Sequence, residues 1–310
     1  MKIALKVDVD TLRGTLEGVP ALLKLYQRYG VKATFLFSLG PDHTGRALRR
    51  IFRPGFFSKV QRTSVLSHYG LKTLLYGTLL PGPHIGRRGR DIMRQVEKAG
   101  HEVGMHCYDH IRWQDFVANR DAEWTQKEMQ AAIDSFQEVF GHQPSVHGAA
   151  GWQLNKHTLQ LEQQLGFRYA SDCRGQSPFI PHMEGETFNC PQIPTTLPTL
   201  DELLGCNGIT EANVHEAVYA ASRKPAPEGH VYTLHAELEG MKLLPVMEKL
   251  LQLWQKAEDD IGTLADYVAD LNTAILPCHE LVMSEIEGRS GVLAVQGSKI
   301  DVGRNKTTQA

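Results

Sequence analysis

The chain has 310 residues, 42% hydrophobic and 22% charged, with a formal net charge of −2. These values fit one large α/β domain or two small ones, and they argue against a disordered chain or a nucleic-acid-binding one. Five cysteines (Cys107, Cys173, Cys190, Cys206, Cys278) form no CxxC pair, a pattern of reduced thiols that predicts a cytosolic chain. Met1 to Thr11 carries Asp8 and Asp10 and lacks the apolar region of a signal peptide, and no run approaches the ~18 apolar residues of a membrane span. Any membrane contact is therefore expected to be peripheral.

Lys2 to Val9 reads as a strand. Gly18 to Tyr29 has helical spacing and Gly30 as a stop, and Val31 to Leu39 is a second strand rich in β-branched and aromatic residues. The rhythm then breaks at residues 41 to 90, an insertion ahead of a helix predicted over Asp91 to Ala99. The insertion holds ten Lys/Arg and one acid, Asp42, among large apolar residues such as Phe56, Phe57, Leu74 and Leu80. Cations mixed with apolar side chains predict an interfacial segment on an anionic membrane surface or a lipid phosphate. The competing reading is a solvated basic face over a small apolar subdomain.

His101 to Cys107 is a third strand, and Glu123 to Phe140 a long amphipathic helix with Gly141 after it. Ser145 to Trp152 reads as a strand and turn, Asn155 to Leu165 as a helix, and Phe167 to Ser171 as a strand leading into Asp172. Thr187 to Ile193 is another strand, Ala212 to Ser222 a helix, and Gly229 to Leu234 a strand ending at His235. Leu244 to Lys256 and Gly262 to Leu271 close the series, giving a single domain over 1–272. Residues 273–310 form an extension whose last twenty or so residues look loose. Alternating strands and helices predict a (β/α) barrel or a doubly wound sheet. No GxGxxG or GxxxxGK[ST] follows the first strand, so no nucleotide cofactor is expected.

Polar residues gather at the predicted strand ends: Asp8 and Asp10, His106 and His110, His147, Asp172, His235. If the chain turns helical after Cys107, His106 and His110 converge. Two imidazoles and one carboxylate are a common ligand set for a catalytic divalent metal, and the acids after the first strand can supply the carboxylate.

The order of an acidic pair (Val7-Asp8-Val9-Asp10-Thr11), an HxxxH (His106-Cys107-Tyr108-Asp109-His110), a turn with Gly151-Trp152, and a late Leu234-His235 resembles the polysaccharide deacetylase family. This is the NodB-homology group of carbohydrate esterases. The resemblance implies a distorted (β/α)7 barrel and hydrolysis of acyl groups on sugars with one divalent metal; zinc, manganese and cobalt all suit the donors. Further stretches (KVDVDT, GHEVGMHCYDH, HGAAGWQ, YASDCRG, QIPTTLPTLDE) resemble a branch of the family. That branch removes formyl from an aminoarabinose carried on undecaprenyl phosphate, a step toward lipid A modification and polymyxin resistance. The implied place is the cytoplasmic face of the bacterial inner membrane.

The resemblance assigns Asp10, His106 and His110 to the metal, Asp8 to proton abstraction from water, and His235 to protonation of the leaving nitrogen. Backbone N–H groups over Gly148 to Trp152 are expected to face the oxyanion, with Trp152 beside the sugar and Asp172 hydrogen-bonded to His235. One departure stands out. The family's third motif supplies an arginine that orients the catalytic aspartate, and this chain has Gly148 at that position, with His147 and Arg174 as candidate substitutes. The alternatives are a deacetylase of another N-acyl sugar and a non-catalytic lipid-phosphate-binding barrel.

Overall fold

The computed structural model describes residues 1–47, 73–289 and 291–301. Strands β1 (Lys2–Val9), β2 (Thr34–Ser38), β3 (Glu102–Cys107), β4 (Val146–His147), β5 (Tyr169–Ala170) and β8 (His230–His235) lie parallel in the order β5-β4-β3-β2-β1-β8, and the short β9 (Asp260–Gly262) pairs in parallel with the start of β1, off this path. The gap between β5 and β8 is bridged by the irregular stretch 191–197. Ile193 N–H donates to the Ala170 carbonyl at 2.7 Å, and Thr196 and Leu197 donate to Val231. The result is the expected distorted seven-stave barrel, its seventh stave made from the sequence's Pro/Thr-rich run rather than a regular strand.

The two-residue period of the strands sorts side chains between two cores. Leu5, Val7, Val9, Phe35, Phe37, Val103, Met105, Tyr232 and Leu234 point outward under the helices, in the larger cluster. Ala4, Leu36, Val146, Tyr169, Ile193 and Val231 point inward and form a second cluster, closed by Leu264 and Tyr267 from the helix Leu264–Ala269. Apolar filling thus occupies the lower barrel. The inward positions further along the strands are Asp8, Ser38, His106 and His235, so polar groups collect at the C-terminal mouth.

The helices are set by identifiable caps. Asn155 forms a capping box over Lys156–Leu165, and Gly166 ends that helix in the left-handed region at φ 74°. Asp121 caps Ala122–Phe140. The helix predicted from Asp91 instead starts at Ile85, because His84 caps it by accepting from Arg87 N–H. Arg87, Arg88 and Arg90 therefore belong to a helix, and Arg87 and Arg90 pair with Glu138. Part of the expected basic face is neutralised in this way. The apolar residues Phe56 and Phe57 fall outside the described residues.

The C-terminal extension corrects the sequence reading. β10 (Cys278–Glu285) and β11 (Val292–Ile300) form an antiparallel hairpin that joins β6 (Ile180–Met183) and β7 (Glu186–Thr187) in a second sheet, β11-β10-β6-β7. Thr187, expected to open a barrel strand, lies in this sheet. Reciprocal bonds between Arg174 and the 294–296 backbone tie the hairpin to the barrel rim. The sequence GVLAVQGSKI alternates too weakly to announce a strand; its pairing with β10 decides it.

His101, just before β3, is buried between Tyr26 and Phe35, and its Nδ1 accepts from Ala33 N–H at 3.1 Å. Burial, with the Lys32 charge, pushes its pKa down to about 4. The folded pKa lies below the unfolded one near 6.5, so the folded state binds fewer protons between them. Stability from this group is complete above pH ~6.5 and lost as pH falls toward 4, a loss of about 2 kcal/mol. Urea midpoints at pH 7 and 4.5 should differ less in His101→Asn, whose amide oxygen can still accept from Ala33. Equal differences in both proteins would count against this account.

Candidate active site

β1 carries Asp8 to the barrel mouth, with Asp10 just beyond its end, and β3 delivers His106. Asp109 then caps the helix His110–Phe116 by accepting from Arg112 N–H at 3.1 Å, which turns the chain back so that His110 faces His106. The two imidazole centroids are 5.4 Å apart. Asp10 Oδ1 lies 3.3 Å from His106 Nε2 and 3.4 Å from His110 Nε2. The three predicted ligands are therefore assembled, each offering an atom to one point.

The protonation pattern shows what that point requires. His106 Nδ1 contacts the Gly148 carbonyl at 2.5 Å, and a carbonyl only accepts, so Nδ1 carries the proton. In the neutral imidazole Nε2 is then a lone pair facing Asp10 Oδ1, another acceptor. Both atoms are buried and lack a hydrogen-bond partner among the described residues. Two buried acceptors aimed at each other are costly unless a cation lies between them. The donor set fits a divalent metal, with the Gly148 carbonyl fixing the His106 tautomer. Burial would raise the Asp10 pKa; with no ion at the point the His110 charge, then protons on His106 and His235, outweigh burial and hold the carboxyl far below its ordinary range, a compensation that an ion would supply in their place.

Asp8 is almost fully buried. Its Oδ2 lies 3.8 Å from Lys6 Nζ, while Oδ1 has no hydrogen-bond partner among the described residues. His235 stands opposite Asp8 in the β1–β8 register, with Nδ1 buried and likewise unpartnered. Burial alone would lower the His235 pKa; the carboxylates of Asp10, Asp201, Asp8 and Glu239 outweigh it and raise it.

Several expected roles are corrected. Asp172 does not bond His235. Its Oδ1 accepts from Ala149 N–H at 2.7 Å and faces His147 Nδ1 at 3.2 Å, and its Oδ2 accepts from Gln192 at 2.7 Å. His147 Nδ1 also contacts Glu162 at 2.6 Å, so His147, Glu162 and Asp172 form a buried ionic cluster under the 148–152 turn. Burial would lower the His147 pKa, but Asp172 and Glu162 raise it to about 10. This cluster commits His147 Nδ1 to Glu162 and Asp172 and, through Asp172, holds the Ala149 N–H of the turn.

The Gly148, Ala149 and Trp152 N–H groups are committed to Met105, Asp172 and Ala149, so they cannot all face an oxyanion. Gly151, at φ 63°, makes the turn, and a Cβ there would strike Gln114. Trp152 is buried, with Arg174 and Arg289 guanidiniums 5.4 and 4.4 Å from its ring. Arg174 is itself anchored on the Leu197 carbonyl and Glu202. Cys107, inside the HxxxH, points to Ser38 and away from the metal point.

Glu237 and Lys6 escaped the sequence reading. Glu237 Oε1 accepts from Asp10 N–H, Thr11 N–H and Thr11 Oγ at 2.8 to 3.1 Å, fixing the turn that carries Asp10. Burial, then the Asp10 charge, pushes its pKa up to about 8. The run His235-Ala-Glu237-Leu-Glu239 after a strand carries the same kind of signal as Asp8 and Asp10: acids next to apolar sequence. A Cβ on Gly14 would fall 1.9 Å from Glu237 Oε1. Gly14→Ala is therefore expected to displace Glu237 and weaken metal binding about 10- to 100-fold, the usual cost of disturbing a ligand's support. Cobalt titration followed by absorbance measures this, and an unchanged affinity would show that Glu237 does not set the Asp10 turn.

The barrel, its polar mouth and its two-histidine, one-carboxylate point define a class: parallel α/β barrels with a candidate metal centre at the mouth. Comparison with known proteins narrows it. The polysaccharide deacetylase family model matches residues 2–170. A 4-deoxy-4-formamido-L-arabinose-phosphoundecaprenol deformylase of Shewanella sediminis (strain HAW-EB3) is 38% identical over 305 residues, 97% of this chain and 96% of its own length. One of the same name from Wigglesworthia glossinidia brevipalpis is 30% identical over 284 residues, 91% of this chain and 98% of its own. A crystal structure of a polysaccharide deacetylase from Mycobacterium smegmatis superposes with a TM-score of 0.60 at 18% identity, over 92% of this chain and 94% of that one, a likeness of fold. The chain belongs to the polysaccharide deacetylase family.

Proposed function

We propose that this chain hydrolyses the formamide of 4-deoxy-4-formamido-L-arabinose on undecaprenyl phosphate. The products are formate and 4-amino-4-deoxy-L-arabinose-phosphoundecaprenol, for lipid A modification. The chain is an enzyme that hydrolyses linear amide bonds, and its family is metal-dependent. The observation that carries the reading is the pair of buried, mutually facing acceptors at Asp10 and His106, in a chain 38% identical to a deformylase over nearly its whole length.

In this reading Asp10, His106 and His110 hold the ion. When bound, a divalent ion polarises an acyl oxygen and makes water more acidic. Asp8 receives the proton of the attacking water at its unpartnered Oδ1. His235, whose pKa the surrounding carboxylates raise, gives a proton to the amine nitrogen as the C–N bond breaks, because an unprotonated amine is a poor leaving group. Trp152, the buried end of the 148–152 turn with Arg174 beside its ring, serves as a wall and not as a proton carrier.

Residues 1–272 act as one catalytic domain in this proposal, with the basic insertion 41–90 turned to the anionic surface from which the lipid-linked sugar is drawn. The enzyme sits peripherally on the cytoplasmic face of the inner membrane. Among the described residues no helix is long and apolar enough to cross a membrane.

The test is formate release from the undecaprenyl-linked formamido sugar and from its acetamido analogue, with metal-stripped and refilled protein. Metal-dependent formate release is expected. Discrimination against the added methyl should be modest, about 1–3 kcal/mol. Tight binding of the lipid carrier with no formate under any metal would replace this reading with a carrier-binding barrel.

A further inference from the structure

We infer that Lys6 is the positioning residue for Asp8, its buried ammonium holding carboxylate Oδ2 and leaving Oδ1 for the proton of water. The inference rests on the reading of Asp8 as proton acceptor. Lys6 is fully buried inside the barrel, two residues before Asp8 on the same face of β1. Residues i and i+2 of a strand stand ~7 Å apart, within reach of a lysine stem that turns up toward the mouth. Nζ lies 3.8 Å from Asp8 Oδ2, donates to the Ser171 carbonyl at 2.7 Å, and sits 5.8 Å from the Trp152 ring centre.

Packing does not account for a lysine there. The inward residues nearby are Ala4, Leu36 and Val146, and an apolar side chain would fill the space without burying a charge. The surroundings are instead shaped around the ammonium. A Cβ at Gly148 would lie 3.3 Å from both Cε and Nζ of Lys6 and 2.3 Å from Leu36 Cδ1. Leu36 leaves position 148 little room for a side chain, and the end of Lys6 packs against the same side of the glycine. The cation that serves Asp8 comes from strand β1 rather than from the 148–152 turn.

A purely structural role is the rival: Lys6 could serve only to pin the Ser171 carbonyl at the end of β5. Two variants and their combination separate the two. Lys6→Met is expected to lower kcat about a hundredfold with KM nearly unchanged, since the base is misplaced and the substrate contacts are not. In an Asp8→Asn background the same change is expected to cost less than about threefold, because a residue acting through Asp8 has nothing left to position. Cobalt stoichiometry and thermal melting report that each protein is folded. Lys6→Arg keeps a cation at the site and covers a Met variant that does not fold; its kcat should stay within about tenfold of wild type.

Full activity of Lys6→Met beside an inactive Asp8→Asn overturns the role of Lys6 and leaves that of Asp8 standing. A further loss of tenfold or more in the double variant overturns it in favour of the structural pin. So does a folded Lys6→Arg as inactive as Asp8→Asn. An active Asp8→Asn removes the proton-acceptor reading itself, and the inference with it.

Discussion

His106→Ala is expected to remove metal binding and, with it, formate release. Disturbing the support of a ligand commonly costs 10–100-fold in affinity or activity, and deleting the ligand itself should cost more than the upper end of that range. The geometry makes His106 the most demanding of the three. It is fully buried and its tautomer is locked by the Gly148 carbonyl, so no water can take over its lone pair without reorganising the turn. His110 is more exposed, with 16% of its side chain accessible, and His110→Ala should retain weak binding that excess metal restores. Isothermal titration of stripped protein with zinc, beside formate assays at rising metal, measures both. Wild-type affinity in His106→Ala would move the metal away from this point.

Asp8→Asn should leave metal affinity near wild type while lowering kcat by about 10²–10⁴, the usual contribution of a placed general base. Asn is isosteric and uncharged, so Oδ1 can no longer take a proton and the cavity is otherwise preserved. The separation of binding from turnover is the informative part, because Asp8 and Asp10 are two residues apart and only Asp10 faces both imidazoles. Metal lost together with activity would make Asp8 a ligand. Activity retained with metal bound would pass the proton to another group.

Much of the site was legible because strands punctuate sequence simply. Asp8 and Asp10 stand out in an apolar strand, and HxxxH spacing closes on one point as soon as a helix starts at His110. The cap that starts it, Asp109, is itself visible in the sequence as an aspartate ahead of a helical run. Asp172 differs for another reason: it follows a strand end, but a strand end says nothing about which neighbour in the barrel it faces, and Ala149, Gln192 and His147 take both its oxygens. Lys6 carries no such signal, because Lys2 and Lys6 read alike in the sequence; only the 0% exposure of Lys6 marks it as costly.

By itself, then, the sequence determined the alternation of strands and helices and the residue types gathered at the strand ends. These depend on local period and capping, which act over a few residues. Tertiary structure alone decided that 191–197, of which the sequence predicts only 191–193 as strand, closes the barrel, and it alone decided the hairpin of β10 and β11. Their backbone groups find partners only in segments distant along the chain, and weak patterns become strands once such partners are present. It also decided which buried charges meet, with Lys6 at Asp8, Glu237 at the Asp10 turn and Asp172 at His147. A buried charge is settled by the neighbour that compensates it, and nothing local to the charge names that neighbour.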